Sequence, residues 1–157
     1  MHKGQTISPG KGERITCIQS GIDGSPFIFD FELDPGIKGP PMHTHEEHDE
    51  QITVLSGEFG LQIGNTRRIC RAGESVRLKP EDPHTFWIAS ASTPVRCRVE
   101  HGRRFERAII QPDLLRLAMY INQVDPGSIR VHGAAPGLFL SMLARLGALF
   151  RLKVSTV

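Results

Sequence analysis

Cysteine, tryptophan and tyrosine are scarce in this 157-residue sequence, which has three, one and one of them. Cys17, Cys70 and Cys97 are odd in number, far apart and never in a CxxC pair. A disulfide framework is therefore not expected, and the reducing cytoplasm is the expected compartment. No run reaches the roughly 18 uncharged apolar residues of a spanning helix. The longest apolar stretch, residues 137–150, is interrupted by Arg145. Residues 1–16 lack the apolar core of a secretory signal, so none is expected. A large charge of one sign is missing too. Nineteen basic and 17 acidic residues leave +2, too little to argue for nucleic acid as a partner. Also absent are GxSxG, a glycine-rich phosphate loop and an ordered Ser/His/Asp set, which removes the common nucleophilic and nucleotide-binding readings.

What is there is one domain's length of chain with an uneven charge distribution. Residues 1–66 carry 4 basic and 10 acidic side chains, and residues 67–157 carry 15 and 7. No block of five like charges occurs, so two faces or patches are expected rather than a disordered tail. Residues 14–101 read as short strands broken by turn signals, the pattern of an antiparallel sandwich or barrel. Alternation puts Phe27, Phe29, Phe31 and Leu33 on one face, and Val95, Cys97, Val99 and His101 on one face of a later strand. Phe59 to Ile63, Gly64-Asn65 and Thr66 to Cys70 read as a hairpin. Beyond about residue 102 the pattern changes. Pro112 to Tyr120 reads as a helix, Gly133 to Gly137 as a loop, and Leu138 to Leu152 as a second helix with a broad apolar face.

The informative segment is Met42-His43-Thr44-His45-Glu46-Glu47-His48-Asp49-Glu50, with three of the seven histidines. His43 and His45 are two apart, which on a strand turns both imidazoles to one side. Glu50 opens the next strand and could add a carboxylate; His84 opens a later one and could add a third imidazole. Three neutral nitrogens and a carboxylate suit Fe, Mn, Ni, Zn or Cu and leave open positions for water or substrate. Spacing alone leaves a histidine-rich surface loop equally open.

The segment resembles the first motif of the cupin superfamily: His43-Thr44-His45, four residues, Glu50, six residues, Gly57. The stretch from Gly73 through Pro80 and Pro83 to His84 resembles the second, in the expected order and separated by a hairpin. The likeness spans about residues 14–101. Ile37 stands where the motif has a glycine before His43, Glu81-Asp82 replace a turn glycine, and Ile88 stands where an asparagine is common. The resemblance implies an all-β double-stranded β-helix (jelly-roll) barrel over 1–102, with a helical C-terminal extension over 103–157. It implies a divalent transition metal on His43, His45, Glu50 and His84. Asp49 and Glu47 compete for the carboxylate role, but the spacing to Gly57 favours Glu50. His48 has no place in the motif and reads as a solvated loop residue.

If the histidines face inward, alternation lines a pocket with Phe29, Phe31, Ile52 and Phe86. His101 reads as a rim residue and Trp87 as an outward side chain packed under the tail or a partner. The function expected is metal binding, with dioxygenase-like chemistry on a small apolar substrate. The alternative is a non-catalytic small-molecule-binding or sensor module, since this fold hosts both. A homodimer is expected, with the strand around Arg14 to Ile18 a candidate to cross over and cover a sheet edge. The apolar tail could pack over Trp87, pair with a partner or lie on a membrane surface; packing on protein is expected and a membrane partner is not.

Overall fold

In the computed structural model, residues 1–46, 48–111, 114–149 and 152–154 are described, the Leu115 side chain apart. Eleven strands are defined among them: β1 (Thr6–Ile7), β2 (Glu13–Gln19), β3 (Phe27–Leu33), β4 (His43–Thr44), β5 (Glu50–Ser56), β6 (Glu58–Ile63), β7 (Thr66–Arg71), β8 (Ser75–Leu78), β9 (His84–Ile88), β10 (Val95–His101) and β11 (Arg130–Val131). The helices are α1 (Arg103–Ile109), α2 (Leu114–Met119), continued by a π-helical turn at Tyr120–Val124, and α3 (Ala134–Leu149).

The strands form two antiparallel sheets, ordered β1-β2-β3-β10-β5-β8 and β11-β4-β9-β6-β7. This is the jelly-roll barrel with a helical C-terminal segment. Period-2 patterning builds it. In β10 the odd positions Val95, Cys97, Val99 and His101 are buried and the even ones exposed. Phe27, Phe29 and Leu33 from β3 meet Leu61, Phe59 and Cys70 of the other sheet in one core. Asp30 is buried on the outer face of β3, where Arg96 and Arg98 of the paired β10 donate to its carboxylate at 2.7 and 2.8 Å. The β6–β7 hairpin turns at Gly64, whose φ of 54° is open to glycine at little cost.

Several expectations need correction. The strand at Arg14 to Ile18 lies within β2, flanked by β1 and β3 of its own chain, so it is not an edge strand of its sheet. Among the described residues, Trp87 does not pack under the tail. It lies across Gly60, where a Cβ would overlap its ring, and Arg67 sits 5.4 Å above it. Helix α1 was not foreseen. It is a short, arginine-rich segment held by tertiary contacts: buried Glu106 accepts hydrogen bonds from Gly21 N–H at 2.7 Å and Ser20 Oγ at 3.0 Å. It also pairs with the Met1 amino group.

Of the loop expected at 133–137, residues 134–137 are instead the first turn of α3, because Pro136 there lacks only an N–H that a helix start leaves unpaired. Pro112 and Asp113, the expected start of the earlier helix, and Phe150 and Arg151 lie outside the described residues. Helix α3 packs on α2 and its π-turn through Leu140, Leu143 and Ala144. Its outer side leaves Leu138, Phe139, Met142 and Leu149 exposed. Among the described residues, no helix is long and apolar enough to cross a membrane.

Candidate metal centre

Five side chains converge at one end of the barrel. His43 lies on β4 and is the register partner of His84 on β9, so the first sheet contact already joins two imidazoles. His45 follows β4 directly. Glu50 opens β5 on the opposite sheet. The pairing Glu100 with Gln51 brings His101, the last residue of β10, beside Glu50. His43, His45, His84 and His101 are all buried.

Glu50 Oε2 is 3.2 Å from His84 Nε2, 3.8 Å from His45 Nε2 and 4.0 Å from His101 Nε2. One ligand atom from each of His43, His45 and His84 lies within 4.8 Å of the others, and the same holds for His45, Glu50 and His101.

Backbone carbonyls set three of the tautomers. The Nδ1 atoms of His43, His45 and His84 lie 2.9, 2.6 and 2.8 Å from the carbonyls of Pro41, Ser128 and Asp82. A carbonyl only accepts, so each Nδ1 carries a hydrogen, and in the neutral ring Nε2 then keeps a lone pair. That is the arrangement in which metal-ligating histidines are commonly held.

Glu50 Oε2, His84 Nε2 and His101 Nε2 are buried with no hydrogen-bond partner among the described residues. A buried carboxylate oxygen facing imidazole nitrogens fits a cation, and the donor set of three neutral nitrogens and one oxygen suits a divalent transition metal.

The electrostatics follow from this crowding. Burial, reinforced by His84 and His45, pushes His43 down to about 3. Burial, reinforced by His45, does the same to His101, also to about 3. Burial lowers His45 as well. His84 is the exception, since Glu50 outweighs burial and raises it. Burial would raise Glu50, but the approach of His84 and the charges of His101 and His45 hold its carboxyl below the usual range.

Beside the cluster is a cavity of about 330 Å³. Phe29, Phe31, Ile52 and Phe86, the four expected lining residues, all border it, as do the four expected ligands. The sequence reading missed the contribution of the tail. Phe105, Ile109, Leu117, Ile129 and Val131 close one side, and β11 pairs with β4 beside His43. Nothing in the local pattern of residues 103–131 announces this role.

His101 is not a rim residue. It is buried between His45 and Phe105, with ring centroids at 4.3 and 4.2 Å. The signal for it was present, since it shares the inward face of Val95, Cys97 and Val99. Asp49, the competing carboxylate, pairs with Arg77 at the surface, and Glu47 lies outside the described residues. His48 is half-buried rather than a free loop side chain; its ring occupies the space a Cβ on Gly102 would need.

Residues 29–99 match the family model for the cupin domain. Quercetin 2,3-dioxygenase of Bacillus subtilis (strain 168) is 25% identical in an alignment 95 residues long that covers 55% of this chain and 28% of that protein. The chain thus spans well under a third of the length of the curated relative it matches. Among solved structures, KdgF from Halomonas sp. superposes with a TM-score of 0.52 at 18% identity, over 61% of this chain and 84% of that one. A predicted oxalate decarboxylase from Thermotoga maritima gives 0.53 at 17% identity, over 62% and 90%. At these identities the structural likeness speaks for the fold alone.

Proposed function

The barrel of this chain belongs to the cupin superfamily, and from that premise we propose that it binds one divalent transition-metal ion on His43, His45, Glu50 and His84. We propose that it uses the ion on a small, largely apolar molecule. The observation that carries this reading is a buried carboxylate oxygen, Glu50 Oε2, 3.2 and 3.8 Å from the Nε2 atoms of carbonyl-anchored His84 and His45, with carbonyl-anchored His43 grouped beside those two. A bound ion supplies a Lewis acid with open positions, and Fe, Mn, Ni or Cu would add redox chemistry.

The chain's own residues do the rest. Glu50 offsets the ion's charge. Phe29, Phe31, Ile52 and Phe86 take the apolar body of the ligand. In this reading residues 1–102 are the binding unit, and Phe105, Ile109, Leu117, Ile129 and Val131 of the C-terminal extension cover one side of it. Dioxygenase-like turnover is the finer form of the proposal, and the similarity to a quercetin 2,3-dioxygenase supports it.

A specific observation favours the second reading, a non-catalytic binding or sensor module. Apart from the four proposed ligands and Cys97, Glu13 and Lys38 are the only ionisable residues bordering the cavity among those described. A base for proton transfer is thus poorly supplied. Homodimer assembly and a reducing, cytoplasmic setting belong to the same proposal. The unpaired Cys17, Cys70 and Cys97 suit the setting, and the outward apolar side of α3 suits the dimer.

Elemental analysis of the purified protein tests the reading. About one transition-metal ion per chain is expected. His45→Ala should abolish tight binding and His48→Ala should leave it intact; equal losses from both would mean a loop chelator. Incubation of the loaded protein with small diketones and phenols then separates turnover from binding alone.

A further inference from the structure

Four histidines face the centre, but they do not face it in the same chemical form. For His43, His45 and His84 the outer nitrogen carries the hydrogen and the inner one a lone pair. For His101 the order is reversed. The backbone N–H of Gly102 donates to His101 Nδ1 at 2.8 Å, so Nδ1 is the acceptor. In a neutral imidazole the hydrogen must then be on Nε2. Among the described residues that buried Nε2 has no hydrogen-bond partner, and neither has the carboxylate oxygen it faces, Glu50 Oε2 at 4.0 Å, whose nearest imidazole nitrogen is His84 Nε2 at 3.2 Å. The ring has little freedom to turn away, because Phe105 stacks on it with an interplanar angle of 19° and His45 meets it edge-on. Ligation by His101 would need its Nε2 lone pair, and so a hydrogen on Nδ1 pointing into the Gly102 N–H.

We propose that His101 is a positioning residue that donates Nε2–H to the Glu50 carboxylate, fixing it for the ion, and is not itself a ligand. The inference rests on the metal reading above. It goes further by dividing the four histidines into three acceptors and one donor. His101 also lies beyond the residues 29–99 that the cupin-domain model matches. The 4.0 Å separation must close by about 1 Å for a full hydrogen bond.

Two measurements test this. Long-range ¹H–¹⁵N correlation spectra of the metal-free full chain at about pH 8 read each tautomer directly. Nδ1–H is expected for His43, His45 and His84, and Nε2–H for His101. An Nδ1–H tautomer at His101 overturns the proposal, whatever the protein does with metals.

Co²⁺ binding by calorimetry, with the Co²⁺ visible spectrum, is then compared in the wild type, His101→Phe and His101→Gln. Loss of the donor in His101→Phe should weaken affinity about 10–100-fold with the nitrogen ligand count unchanged. His101→Gln, whose amide NH₂ falls near the position of Nε2, should recover most of it. Unchanged affinity in His101→Phe, a lost nitrogen ligand, or no rescue by Gln would each overturn the donor role. Failure of the wild type to bind Co²⁺ would instead sink the metal reading, and the spectra would still decide the tautomer of His101.

Discussion

Acid should destabilise this protein well before its carboxylates are protonated, and the histidine cluster sets the size of the effect. His43 and His101 are held at about 3 in the folded chain, against about 6.5 when unfolded. Between those values the unfolded chain binds more protons than the folded one, so stability rises with pH and is lost on acidification. From pH 8 to pH 5, linkage gives about 2 kcal/mol lost per histidine, or about 4 kcal/mol for the two. His45, also lowered, adds to the loss. His84 works in the other sense: it is raised, so its contribution is present below about pH 6.5 and fades above it.

A net loss of about 2–4 kcal/mol is a large share of a typical stability of about 5–15 kcal/mol. With a urea m-value of about 2 kcal/mol/M, the unfolding midpoint should drop by about 1–2 M. The assay is urea unfolding in chelator, followed by fluorescence of Trp87, the single tryptophan. A midpoint constant to within about 0.3 M from pH 8 to pH 5 would refute the idea that these imidazoles are buried and neutral.

Two further outcomes are expected. Asp30→Asn should destabilise the barrel by about 1–3 kcal/mol, since it weakens charge-assisted hydrogen bonds from Arg96 and Arg98 to a buried group. Burial alone would raise Asp30, but those arginines lower it. Its stabilisation is therefore present above the ordinary carboxylate range and lost as pH falls below it, so the gap between wild type and variant in chemical denaturation should shrink as pH falls below that range. Light scattering of the full chain at tens of micromolar should give a dimer mass. Leu138→Glu with Leu149→Glu, at positions 72% and 75% exposed, should give a monomer with an unchanged circular-dichroism spectrum. A monomeric wild type would remove the dimer.

The barrel was legible in the sequence because a strand half-buried on one face repeats every two residues; β10 does so throughout, β5 does so at Ile52 and Val54, and β3 does so in its apolar residues, with buried Asp30 the exception. Candidate ligands were legible because His43, His45 and Glu50 sit close together in the chain, and His84 opens a strand of its own. His101 was misjudged for the opposite reason. It stands alone between Glu100 and Gly102, and its neighbourhood exists only once β10 is paired with β5.

Alternation by itself determined which side chains of each strand turn inward, including the aromatic wall at Phe29, Phe31 and Phe86. It could not determine which strand lies beside which, since that is fixed by pairing across as many as 88 residues, as between His43 and Val131. Tertiary structure alone decided three things about the centre. It set Glu50 among the imidazoles. It turned the Ser128 carbonyl, 83 residues along the chain, onto His45. It also reversed the tautomer of His101 through one backbone N–H. Hydrogen-bond direction depends on where a few atoms meet in space, and residue order carries no record of it until the chain has folded.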